Sequence, residues 1–399
     1  MTTQAVFSGV VKFFAASLLC TIFASIYCKA CAQTISLSPK FTVAHEKYQD
    51  YPSLASDGQF LLVGLYDFAP DPSSAPGSVA IYKRQNHTWT RLALIEGGEK
   101  SITGRGATFG QSLAVSDNIL AIGEPGWNKG RQHGAIHVYS LENNSWVNTA
   151  LLTLPRHFAN YDSLFGENVL IQNRQIIASA TAAASSISFS KNNGRGEVYI
   201  FSERRNKHWH LLETLHPPIH DDVESFGEQI ASNGSLLAVS AYQPAKSGIV
   251  FIYRYNEGKW NYLYQLTPNS GDRSTSFGET LSLGPHTLFA GGYKTTGYIY
   301  DIDASGARLR AKISKDNLPA TSAAVCNDEV FYDAVEPSRV RSAGGKNSEV
   351  LNIQSNLYSV KEESGFGGSM ICVGNELVIA DWEGNIYMED VNTLLAQTK

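Results

Sequence analysis

Phe226-Gly227-Glu228-Gln229-Ile230-Ala231-Ser232-Asn233-Gly234-Ser235-Leu236-Leu237-Ala238-Val239-Ser240 is the stretch that decides the fold. Two short runs flank the polar turn Asn233-Gly234-Ser235. Asn and Gly there mark a tight reversal, because Gly accepts positive φ and the Asn side chain caps its own backbone. The run Leu236–Val239 is apolar on both parities. A strand of that kind is covered on both faces, as when sheets stack on either side of it.

The same frame recurs along the chain. Phe109-Gly110, Phe165-Gly166, Phe277-Gly278 and Phe366-Gly367 open blocks that align with it without gaps, and blocks from Asp50 and Pro319 fit although they lack Phe-Gly. The fifth column reads Leu54, Leu113, Val169, Ile230, Leu281, Ala323, Met370; the twelfth reads Leu61, Leu120, Ile176, Leu237, Leu288, Val330, Leu377. A third strand follows each block, opened by Gly77, Gly134, Gly196, Gly248, Gly297 and Gly384, with Ser348 standing in once. Trp89, Trp146, Trp209 and Trp260 then open a fourth strand, and their fixed place reads as packing between blades. Repeated turn signals without a helical period predict an all-β, seven-bladed β-propeller of four-stranded antiparallel blades.

Phe-Gly-x-x-[Leu/Val/Ile], Leu-x-[Ile/Val]-Gly and Gly-x-Val-x-[Ile/Val]-Tyr together resemble the FG-GAP repeat of integrin α-subunit propellers and their bacterial relatives. The resemblance runs over essentially the whole of residues 33–399 and implies an adhesion or recognition role. Integrin-type repeats often carry an acidic calcium loop between the first two strands. Here that turn is a few residues long without an acid ladder, so no calcium and no other cofactor is carried over.

The seventh copy ends before a full fourth strand fits. Leu37-Ser38-Pro39 matches Leu215-His216-Pro217 and Leu266-Thr267-Pro268, which end fourth strands elsewhere. Thr34 to Ser38 is therefore expected as the outer strand of the last blade, pairing with Gly384 to Glu389 and closing the ring by backbone hydrogen bonds.

Residues 1–32 read as a signal peptide: Lys12, the apolar run Phe13 to Tyr27, then Ala30-Cys31-Ala32 before Gln33. An uncleaved anchor is the rival, since Ala5 to Tyr27 is long enough to span. A lipoprotein cysteine fits less well, because bulky or charged residues precede Cys20, Cys28 and Cys31. Cleavage predicts a secreted, periplasmic or cell-surface protein with no membrane span in the mature chain. It moves the net charge from −5 to −7, which disfavours nucleic acid and anionic membranes as partners. Only Cys326 and Cys372 then remain, and spacing alone does not decide whether they pair.

The loops between second and third strands vary in length, while the turns on the opposite face hardly do. Binding is expected on the variable face. Its candidate residues are Tyr66, Trp127, Arg131, His133, Arg195, Tyr242, Asp381 and Trp382, where aromatics and Arg are typical anchors. His208, His210, His216 and His220 before Asp221-Asp222 fit no compact zinc spacing and read as a solvated strand and loop, so no metal site is assigned. Three glycosylation sequons, at Asn86, Asn143 and Asn233, fall in turns, where polar sequence produces them by chance. No catalytic motif stands out. The expected function is recognition of an extracellular protein or glycan. A glycan lyase or hydrolase using Asp67, Glu124 and Asp381, or a self-assembling scaffold, are the alternatives.

Overall fold

The computed structural model describes residues 34–43, 52–66, 77–98, 108–129, 132–154, 163–181, 195–204, 208–218, 223–243, 247–268, 276–293, 295–313, 319–334, 339–343, 351–356 and 365–397. The architecture is a seven-bladed propeller. Blade four shows the plan: Ile230–Ser232, Leu236–Ala241, Ile249–Asn256 and Lys259–Leu266 lie in order from the axis outward, each antiparallel to the next. Blades one, two, three and five repeat it. The innermost strands touch in a ring, with Ser369–Val373 of blade seven against Ser53–Ser56 of blade one.

Seven hydrophobic clusters fill the gaps between neighbouring blades. This is why second strands are apolar on both parities: one parity packs on the preceding blade and the other on the following one. In blade four, Leu237 and Val239 join the cluster shared with blade three, while Leu236 and Ala238 join the one shared with blade five.

The Phe-Gly pair works as a clip between blades. Phe109, Phe165, Phe226, Phe277 and Phe366 are each at most 2% exposed. Burying a Phe contributes roughly 1.5–3 kcal/mol. Gly110 has φ +91° and presents its carbonyl to the hydroxyl of Ser53 in the preceding blade at 2.5 Å. Ser112 donates to the Gly166 carbonyl in the same way, at 2.7 Å. Gly64 is the fifteenth residue of its block, a position also held by Gly123 and Ser240. A Cβ on Gly64 would sit 2.2 Å from the Gly110 oxygen, so a small residue there is a steric requirement of that approach.

Two expectations are corrected. Thr34–Leu37 does not join the last blade. It adds parallel to Asn352–Ser355, the fourth strand of blade six, as a fifth strand there. The outer strand of blade seven is instead Phe41–Thr42, antiparallel to Asn385–Asp390. The N-terminus still closes the ring, but across two blades. Ile35 and Leu37 supply buried side chains to the core between blades six and seven, where no Trp opens the fourth strand. Pro39 marks the crossing, since it has no N–H to extend the ladder.

The third strand of blade six is Arg339–Ala343, and does not begin at Ser348, which lies outside the described residues. Past the third strand of blade seven, Asn385–Asp390, comes a short helix, Val391–Ala396, capped by Asp390. Cys326 and Cys372 form a disulfide between the innermost strands of blades six and seven, their Cα atoms 5.4 Å apart. Among the described residues no helix is long and apolar enough to cross a membrane; residues 1–32 lie outside them.

Candidate functional site

The innermost strands of blades one, two, three, four, six and seven, with the residues leading into them, surround a cavity of about 380 Å³ at the axis. Its rim is polar, from Ser53, Gln111, Glu167, Asn168, Gln229 and Ser322; its depth is apolar, from Leu54, Leu113, Val169, Ile230 and Met370. The rim belongs to the variable-loop face, because innermost strands start there. Polar groups at the rim are unevenly satisfied. Asn168 Nδ2 donates to the Gly227 and Glu228 carbonyls at 3.2 and 3.0 Å, stitching blade three to blade four. Thr181 donates to Glu167. Gln111 Oε1 is shielded from solvent with no hydrogen-bond partner.

Three consecutive blades place a carboxylate at the same point, as Glu167, Glu228 and Glu279. Burial first, and then the like charges of Glu167 and Glu279, push the Glu228 carboxyl up to about 7. The apolar columns do not mark these acids; their signal is the third column of the aligned blocks, where Gln111 and Glu167 line the axial cavity.

The expected site residues separate. Tyr66 is half-buried and lines the axial cavity. Trp127 and His133 sit on a hairpin, since the second and third strands of blade two, Ile119–Lys129 and Gln132–Glu142, run on past the blade with Asn128 opposite His133. A register shift between Glu124 and Asn128 separates this extension from the blade, and the Gly126 N–H holds its base to Thr108 Oγ1 at 2.8 Å. Arg131 lies outside the described residues. Arg195 is half-buried, its carbonyl bonded to the Phe226 N–H at 2.8 Å. Tyr242 and Trp382 are exposed at 41% and 38%. Trp382 lies against Gly365 (φ +63°), where a Cβ would meet the indole at 2.5 Å.

Asp381 is a correction. It is fully buried, and its carboxylate accepts the Asn385 N–H at 2.9 Å, Asn385 Nδ2 at 3.0 Å and the Tyr387 hydroxyl at 2.8 Å. It holds the tight turn that presents Trp382, and its carboxylate is taken up by these internal bonds. Of the other acids considered for catalysis, Asp67 lies outside the described residues. Glu124 is buried against His137, Oε2 to Nε2 at 2.7 Å.

The His cluster does not converge. His216 Nδ1 stands 3.2 Å from Glu197 Oε1, and that hydrogen bond holds its pKa above the usual imidazole value. His210 Nδ1 is buried without a partner, and His220 lies outside the described residues. Among the described residues no group of three or more His, Cys, Asp or Glu is placed to hold a metal ion. Asn86 and Asn143 are exposed, whereas Asn233 is held by its own turn: its Oδ1 accepts from the Leu236 N–H at 2.8 Å.

A larger depression, about 700 Å³, lies on the opposite face along the short turns of blades four to seven. Its polar groups already bind one another. Asn233 Nδ2 donates to the Gly284 and Pro285 carbonyls, and the His286 N–H donates to Asp328. The axial cavity is the better candidate, because it converges residues from six blades.

No protein-family model matches the chain, and no curated protein sequence does. Solved structures do. The chain is similar to a chain in the crystal structure of a mitotic checkpoint complex, with TM-score 0.54 and 12% identity over 91% of this chain and 98% of that one. It is also similar to Sqt1 from Chaetomium thermophilum, with TM-score 0.54 and 11% identity over 89% of this chain and 85% of that one. At such identities the likeness is one of fold, and it shows the seven-bladed propeller.

Proposed function

We propose that this protein is an exported recognition module of FG-GAP type that binds a protein or glycan through its variable-loop face. The observation that carries the reading is the axial cavity of about 380 Å³ with Tyr66 at its edge. The Trp127 hairpin and the exposed Tyr242 and Trp382 stand among the loops of the same face. Aromatic side chains around a polar, apolar-floored mouth suit a partner that inserts one residue or one sugar. One of the similar structures is of a complex, which fits a binding role.

Export rests on the apolar N-terminal run with its small-residue cleavage site. The Cys326–Cys372 bridge supports it independently, since such bonds persist in oxidising compartments. N-terminal sequencing of the mature protein tests export: a first residue of Gln33 is expected, and an intact Met1 overturns it. Pull-down and glycan-array screening with residues 33–399 tests binding. Trp127→Ala combined with Trp382→Ala is expected to weaken the captured partner by about 100-fold or more. Unchanged binding would move the site to the opposite face.

A further inference from the structure

Among the described residues, only part of a strand fills the outer slot of blade seven. In blades one to five the third strand is paired along its length with a fourth strand of 7–9 residues. Among the described residues, the third strand of blade seven, Asn385–Asp390, pairs only with Phe41 and Thr42, opposite Ile386 and Asn385. The Lys40 N–H still reaches the Ile386 carbonyl at 2.7 Å. The next residue back is Pro39, and the chain then leaves for blade six.

Alternate residues of a strand turn their N–H and C=O to the same neighbour. Gly384 and Ile386 offer their carbonyls outward to Val43 and Lys40, so Met388 offers its own groups the same way. Beside it lies a cleft of about 390 Å³ between blades seven and one. Phe41, Trp89 and Met388 are its apolar lining; Glu389 and Asp390 stand at one end and Lys40 at the other.

We propose that this cleft is a strand-docking site for an extended segment of a partner protein, which adds to Met388–Asp390 and completes the blade. A sheet edge binds main chain and leaves selectivity to adjacent pockets. An antiparallel occupant starts beside Glu389 and Asp390 and ends against Lys40. A basic residue at its start, a large apolar residue facing Trp89 and an acidic end therefore match the slot. The site is at the rim of the ring, away from the axial cavity, and does not depend on the reading above.

Hydrogen exchange on the full chain tests it, with a synthetic peptide of this protein's own blade-four outer strand, Lys259–Leu266, as probe. The amide placed like Met388 in blade four is Ile252, whose residue is paired with Tyr264. In the free chain the Met388 amide is expected to exchange at least ~100-fold faster than Ile252. Saturating peptide slows it at least ~10-fold, and the same peptide with Tyr262→Pro, which cannot complete the ladder, does not. Trp89→Ala weakens peptide binding about 10-fold. A Met388 amide as protected as Ile252 in the free chain overturns the proposal. So does a peptide that gives no protection at about 1 mM.

Discussion

Glu228 is largely enclosed, and it also has like charges beside it, Glu167 and Glu279. Its carboxyl therefore binds a proton more tightly folded, at about 7, than unfolded, at 4.5. The sign follows from linkage. Its stabilising contribution is complete below the unfolded value and is lost as pH rises through about 7. Unfolding free energy is expected to fall between pH 5 and 8, and Glu228→Gln to remove roughly 1–2 kcal/mol of that fall after discounting for solvent screening. Denaturant titration at both pH values checks this; an unchanged slope in the variant would sink it. These acids were present in the aligned blocks, but the strong apolar columns say nothing about which polar column faces the axis. Asp381 shows the reverse difficulty. A loop acid beside Trp382 looks like a binding residue until the Asn385 and Tyr387 bonds are seen.

Strand pairing was legible wherever the block carried its own markers. Phe-Gly and the small fifteenth residue report one contact from two sides, Gly110 on Gly64 for example, so their recurrence gave blade number and inner-strand register. Blade six lacks Phe-Gly and a third-strand Gly, and there the frame slipped from Arg339 to Ser348. The N-terminal strand was misplaced by one blade because a parallel fifth strand breaks the antiparallel rule that the repeat teaches. Removal of residues 33–38 strips only that fifth strand, and removal of 33–43 also takes Phe41–Thr42 from blade seven. Melting temperature is expected to drop in both truncations and further in the longer one. Equal drops would mean that the two closures do not act separately.

At the scale of the whole ring, three devices hold the join between its ends: the added strand on blade six, the shared sheet of blade seven, and the Cys326–Cys372 bridge between them. The bridge spans 46 residues of sequence. Cross-linking a loop of that length stabilises by roughly 4 kcal/mol in the chain-entropy account. Cys326→Ser with Cys372→Ser is expected to lose about that much, with reductant no longer affecting the variant; wild type insensitive to reductant would contradict it. The closure also sets a timetable. Ser36 and its partner Gln354 are 318 residues apart, so the strand Thr34–Leu37 is made early and seated late. At a ribosomal rate of about 5–20 residues per second, it waits roughly 15–60 s for blade six to exist. Throughout that interval a nascent chain shows unpaired edges at the places where the finished ring shows a seam. Holding them apart until the C-terminus emerges is a task for the cell's folding machinery, set by the order in which the chain is born.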